Sequence, residues 1–146
     1  MLTTKAAIIA FIIATAPQHG IDPDLALAVA KVESQYKMSA KSHAGAVGIM
    51  QIIPKWHPEF NAEKLRKDPK TNIRAGIKIL KKYKESCVHQ EGLTWLICYN
   101  YGPANARKVT KPHEFRYVVD VQKALYEIRA ERAAQRPQPT CLASNQ

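Results

Sequence analysis

Apolar residues recur along most of this chain at three- and four-residue intervals, the period of helices with a buried face. The first run, residues 3–16, is apolar on nearly every side and ends at the turn from Pro17 to Gly20, which predicts a buried first helix. A secretory signal is the competing reading, because Lys5 precedes the run and Ala14-Thr15-Ala16 has the small-x-small form of a cleavage site. The core helix is preferred: Pro17 beside the cut would make a poor substrate, and the next helix would lose a neighbour. Asp22-Pro23-Asp24 then opens a second helix, with Asp22 as N-cap, Pro23 at the first helical position and Asp24 at the positive end of the dipole. Leu25, Ala28, Val29, Val32 and Tyr36 form its expected core face.

The helical pattern stops over residues 39–53 and resumes over 71–86, where Ile73, Ile77, Leu80 and Tyr83 make a stripe and Gly76 allows a close helix crossing. Residues 54–60 are a connection rich in proline and aromatics, and Asp68-Pro69 marks a turn. The very apolar run 92–101 is stopped by Gly102-Pro103. A last helix is expected over 113–132, with Phe115, Val118, Val121, Leu125 and Ile128 inward. Strand alternation is almost absent, so the fold class is all-α: one compact multi-helix domain over residues 1–135 and a disordered polar tail over 136–146.

Composition adds two constraints. The 146 residues suffice for one domain with its own core. The 22 lysines and arginines against 12 aspartates and glutamates give a formal charge of +10, suited to nucleic acid, anionic lipid or an acidic wall polymer. Nucleic acid is not the expected partner, because no aromatic-basic interleaving or recognition helix is visible. Cys87 and Cys98 can pair and leave Cys141 over, or all three can be reduced. No run reaches the roughly 18 apolar residues of a membrane span. The five histidines lack paired ligand spacing and no CxxC occurs, so neither a metal nor a cofactor is expected.

The candidate chemistry lies around Glu33. It follows Val29 and Ala30 by one turn and borders the apolar face of the second helix, where partial burial would raise its pKa and keep it protonated. The loop beyond it carries no acid until Glu59. Gly45 and Gly48 allow tight turns and a close ligand approach. The alternation from Gly48 to Ile52 buries Ile49 and Ile52 and aims Met50 and Gln51 at a cleft. Tyr99 and Asn100, at the end of the 92–101 run, offer a phenol and an amide, groups that grip sugar hydroxyls and N-acetyl groups.

Glu33-Ser34, the run from Gly45 through Gly48 and Met50-Gln51 to Ile52, and Cys98-Tyr99-Asn100-Tyr101-Gly102-Pro103 together resemble the lytic transglycosylases. Asp68-Pro69 with Asn72, Ile73, Gly76 and Leu80, then Tyr117-Val118 with Val121, extend the likeness in the same order, over residues 8–125. The resemblance implies a goose-type-lysozyme-like fold and cleavage of peptidoglycan glycan strands between N-acetylmuramic acid and N-acetylglucosamine. It implies Glu33 as the single catalytic acid, which then acts as base on the muramic acid 6-hydroxyl to close a 1,6-anhydro ring. Ser34 would hold the sugar or the acid, and Gly48, Met50 and Gln51 would line the donor site. Tyr99 and Asn100 would bind N-acetyl and hydroxyl groups, and Tyr117 would support the acid.

Most glycosidases use two carboxylates; the absence of a second one between Ser34 and Pro58 fits an intramolecular hydroxyl attack. Four positions depart from the family pattern: Cys98 and Tyr101 replace alanines, Lys55 replaces a small hydroxylated residue, and His113 stands where an acid is usual. The implied setting is the periplasm or cell envelope, reached by export, or a virion, with a secretion, conjugation or virion assembly as larger partner. The alternatives are a catalytically weak wall-binding or structural module and a hydrolytic lysozyme.

Overall fold

The computed structural model describes residues 2–137 and 139, and all the regular structure among them is helical. The expected tail over 136–146 falls almost wholly outside the described residues. Seven α-helices follow in order: α1 (Lys5–Thr15), α2 (Pro23–Ser34), α3 (Ala62–Lys67), α4 (Pro69–Ser86), α5 (Leu96–Tyr101), α6 (Pro103–Ala106) and α7 (Arg116–Gln135). Two isolated β-bridges, Lys41 with Val47 and Val47 with Ile52, close the loop between α2 and α3 on itself.

The second helix is the axis of the molecule. Asp22 caps it, its Oδ1 accepting from the Asp24 amide at 2.9 Å. Every residue over 25–30 is buried, more than the single face its periodicity suggests. The reason is that α1 and α7 both pack along it, and alanines at 26, 28 and 30 let them come close. Arg129 of α7 donates to Asp22 at 2.9 Å and Arg132 donates to Asp24, which ties the far half of α7 to the start of α2.

The first helix is a core helix: Ile8 and Ile12 face inward and Ala16, just past its end, is fully buried. Its outward Phe11 is covered by Lys70 and Arg74, 5.5 and 5.1 Å from the ring centre. Part of the basic face of α4 therefore shields an aromatic ring, a cation–π arrangement that uses charges otherwise free for an anionic partner. Among the described residues no helix is long and apolar enough to cross a membrane.

Three local expectations change. Helix α3 is an addition; Asn61 caps it, accepting from the Lys64 amide at 3.0 Å, and Leu65 is its buried anchor. Pro103 does not merely stop α5 but starts α6, because proline suits the first helical position once Gly102, at φ 84°, has turned the chain. The group that approaches Gly76 is the Met50 side chain rather than a helix: a Cβ at Gly76 would lie 2.5 Å from Met50 Cβ. The disulfide Cys87–Cys98 joins the end of α4 to α5, resolving the pairing left open above.

Candidate active site

Helix α2 ends one residue after Glu33, and the chain turns sharply there. Gln35 and Tyr36 adopt φ of 53° and 65°, a left-handed conformation uncommon for residues with side chains. Two side-chain bonds hold this turn in place. Ser34 Oγ donates to the Ile49 carbonyl at 2.7 Å, and the Tyr36 hydroxyl donates to the Leu27 carbonyl at 3.1 Å. The glutamate thus sits at a helix terminus pinned to the following loop.

That loop is organised by Asn72 of α4, which is fully buried. Its Nδ2 donates to the carbonyls of Val47 at 3.0 Å and Leu65 at 2.9 Å, and its Oδ1 accepts from the Met50 amide at 2.8 Å. Gly48, at φ 78°, lies against the same amide; a Cβ there would stand 2.1 Å from Asn72 Nδ2. Gln51, at φ 50°, reverses the chain, and its Nε2 donates to the carbonyls of Ala40 and Gly48 at 3.0 and 2.9 Å. With both amide protons used, the carbonyl oxygen is what Gln51 can offer a ligand, as an acceptor.

Glu33, Gln51, Tyr99 and Asn100 line one cleft of about 210 Å³. Ser34, Gly48, Met50 and Tyr117 are not among the residues lining it. The Met50 side chain is completely buried, against Gly76, because the turn at Gln51 breaks the strand-like alternation that would have aimed it outward. Its carbonyl instead accepts from the Tyr99 hydroxyl at 2.7 Å, linking the two walls of the cleft. Ser34 is spent on the helix–loop tie, and Gly48 on the approach to Asn72.

Tyr117 comes from α7 and donates to Glu33 Oε1 at 2.5 Å. Burial pushes the Glu33 carboxyl up from 4.5 to about 7, and the Tyr117 hydrogen bond pulls the other way by favouring the anion. Its place in the last turn of α2, at the negative end of the helix dipole, works in the same direction as burial. With Oε1 occupied as an acceptor, the carboxyl proton resides on Oε2. Burial also raises the Tyr99 and Tyr117 hydroxyls well above their usual value, and the nearby Glu33 charge adds to this, so both remain neutral donors.

Tyr117→Phe removes the bond that favours the Glu33 anion, so the carboxyl titrates at higher pH. The alkaline limb of any activity that needs protonated Glu33 moves upward in pH while its maximum falls. A pH–rate profile of the variant checks this, and an alkaline limb that stays put or moves down contradicts it.

The sequence model of the transglycosylase SLT domain matches residues 10–116, which spans the acid, the loop, Asn72 and the Tyr99–Asn100 wall. This chain belongs to the transglycosylase SLT domain family. It is 42% identical over 40 residues to membrane-bound lytic murein transglycosylase C of Actinobacillus pleuropneumoniae, an alignment covering 27% of this chain and 11% of that protein. In fold it is similar to an inactive Glu-to-Gln mutant of the lytic transglycosylase Slt of Pseudomonas aeruginosa, with a TM-score of 0.71 and 20% identity over 88% of this chain and 25% of the other. It is also similar to the 70 kDa soluble lytic transglycosylase of Escherichia coli, with a TM-score of 0.58 and 24% identity over 83% of this chain and 21% of the other. The chain therefore spans a quarter or less of the length of these relatives. The all-α, lysozyme-like fold expected from the sequence is the one observed.

Beyond the positions that the SLT resemblance pointed to, the cleft has further walls. Ser42, Ile79, Trp56 and His57 also line it. His57 is buried, its Nδ1 3.3 Å from Glu59 Oε1, and burial lowers its pKa against the opposing pull of Glu59. Glu59 is thereby engaged with a histidine, half-exposed, and does not line the cleft. For Trp56 and His57 the only signal was the aromatic, proline-containing connection after Ile53. Among the described residues no group of three His, Cys, Asp or Glu side chains is arranged to hold a metal ion.

Proposed function

We propose that this SLT domain cleaves the glycan strands of peptidoglycan as a lytic transglycosylase, with Glu33 as its single acid and a 1,6-anhydro-muramic end as product. The observation that carries the reading is the isolation of Glu33: among the described residues it is the one carboxylate lining the cleft, and burial raises it to about 7. A carboxyl so tuned holds a proton at neutral pH yet gives it up readily, as a general acid must. That a Glu-to-Gln mutant of the Pseudomonas relative is inactive agrees with a glutamate in this role.

In the reaction, Glu33 Oε2 protonates the glycosidic oxygen as the bond from the muramic acid C1 breaks, and the released sugar keeps that proton. The muramic acid's own N-acetyl oxygen stabilises the developing positive charge at C1. Glu33, now a carboxylate held by Tyr117, takes the proton of the 6-hydroxyl as its oxygen bonds to C1. The ring closes and the carboxyl is regenerated, with no net water consumed. Gln51, through its carbonyl oxygen, accepts from a sugar hydroxyl or N-acetyl N–H. Asn100, exposed at the rim, and Tyr99, whose hydroxyl oxygen retains a lone pair, complete the grip. Ser34, Gly48 and Met50 serve by shaping the walls rather than by touching sugar. The substrate sets the place of action in the cell envelope.

Mass spectrometry of the products from purified sacculi tests this. The expected products are lighter by one water than their reducing counterparts. Reducing ends would instead mean lysozyme-like hydrolysis, and binding without any product would mean a wall-binding module.

A further inference from the structure

Two further hollows, of about 510 and 350 Å³, meet at Lys5, Gln35 and Tyr36, which line both. Neither shares a lining residue with the cleft that holds Glu33. The larger is walled by the start of α1, the turn after α2 and the junction of α3 with α4, and the smaller reaches α7 at Asp120 and Ala124. Joined in this way they make one elongated groove. Its floor is apolar: Ile8, Tyr36 and Pro69 are buried, and Leu2 and Met38 are half-buried. Its rim is cationic. Lys5, Lys37 and Lys67 line the larger hollow and Lys31 the smaller, against a single carboxylate, Asp120, among the described residues. Asp120 is held by Arg116 at 3.0 Å, Lys67 by Glu63 at 2.8 Å and Lys31 by Glu127 at 3.7 Å. Among the described residues Lys5 and Lys37 have no carboxylate partner, and Lys5 lies over the Tyr36 ring, 5.6 Å from its centre.

We propose that this groove is a docking site for an acidic segment of a partner protein, whose apolar side chains enter the groove while its carboxylates meet Lys5 and Lys37. The proposal is independent of the glycan reading of the cleft. Two free cations beside a recessed apolar floor are complementary to that chemistry, and each part of the lining disfavours another occupant. A neutral glycan would leave the lysines unused. A small anion would satisfy the lysines and leave the floor uncovered. A bilayer surface is flat, whereas Ile8, Tyr36 and Pro69 are buried lining residues that a side chain reaches and a headgroup layer does not. An extended or helical segment meets both demands, with apolar residues turned inward and acids outward, the arrangement by which amphipathic peptides fill grooves. The formal charge of +10 on the chain attracts such a segment from a distance. Because the groove and the cleft share no lining residue, the segment holds the domain and leaves the Glu33 side open.

A displayed library of random dodecamer peptides, selected against the full chain, tests this. The expected consensus places Asp or Glu beside Leu, Ile or Phe. A synthetic peptide of that consensus, followed by fluorescence anisotropy, is expected to bind Lys5→Glu/Lys37→Glu at least about tenfold more weakly than the parent, because like charges now face each other. Its affinity for the parent falls as salt rises, as for charges at a solvent-exposed rim. Met38→Ala, which trims the floor and keeps the charge, weakens the same peptide, and both variants cut sacculi as the parent does. A selection that yields no acidic-apolar consensus overturns the proposal, as does a consensus peptide that binds the parent and the charge-reversed protein equally. Vesicles containing an anionic phospholipid supply the remaining arm. If they sediment the parent but not Lys5→Glu/Lys37→Glu, while no peptide shows that dependence, the groove belongs to a lipid surface and the assignment to a protein segment falls.

Discussion

Glu33→Gln abolishes release of muropeptides from purified sacculi, by a factor of at least about 10² to 10⁴, the usual contribution of a positioned general acid, while sacculus binding persists. The substitution keeps the shape and leaves Tyr117 an acceptor, so loss of turnover with binding retained isolates the proton. It also makes a stability prediction of definite sign. In the fold Glu33 titrates near 7, above its ordinary 4.5. The stabilising effect of holding that group neutral is full below about 4.5 and is lost as pH rises through about 7. Wild type should therefore weaken relative to the variant across that window, by a few kcal/mol at most. Denaturant unfolding at pH 4 and pH 8 measures it. A variant that turns over normally, or whose stability tracks wild type at both pH values, removes Glu33 from the role given to it.

Asn72→Ala carries the largest expected loss of stability. It strands the Met50 amide and the carbonyls of Val47 and Leu65, all partners of one buried side chain. An unpaired buried group costs about 1–3 kcal/mol, so roughly 3–5 kcal/mol in sum is expected, with a melting temperature lower by roughly 10 °C for a domain of this size. Gly48→Ala acts on the same contact from the other side, through a positive φ and a methyl placed into the Asn72 amide. The two together should be less than additive, since they disrupt one arrangement. A loss below about 1 kcal/mol in Asn72→Ala would mean that the loop is held by something else.

Much of the fold was legible because local rules determine it. The Asp22-Pro23 start of α2 and the stripe of α4 are stated within a few residues of sequence, and Glu33 could be placed at the edge of an apolar face from spacing alone. Helix α3 is six residues long with one buried anchor, too short for a period to emerge. The Met50 expectation came from an alternation that holds only in extended chain, and a single left-handed residue, Gln51, cancels it. Tyr117 is 84 positions from its partner Glu33, and Asn72 is 22 from Met50. No periodicity connects such pairs, so only the family resemblance singled them out. Trp56 and His57 belong to the cleft through convergence of chain segments in space, which spacing does not encode.

The burial of α2 over 25–30 has a mechanical consequence. The acid stands at the tip of a rod gripped by α1 and α7, and the adjoining loop is stitched to α4 by Asn72. Dense packing yields little to a ligand, so a strand entering the cleft cannot push Glu33 aside. The other end of the cleft, toward Trp56, is half exposed and lacks that double grip. Of the walls of the cleft, the one that carries Glu33 is the stiff one.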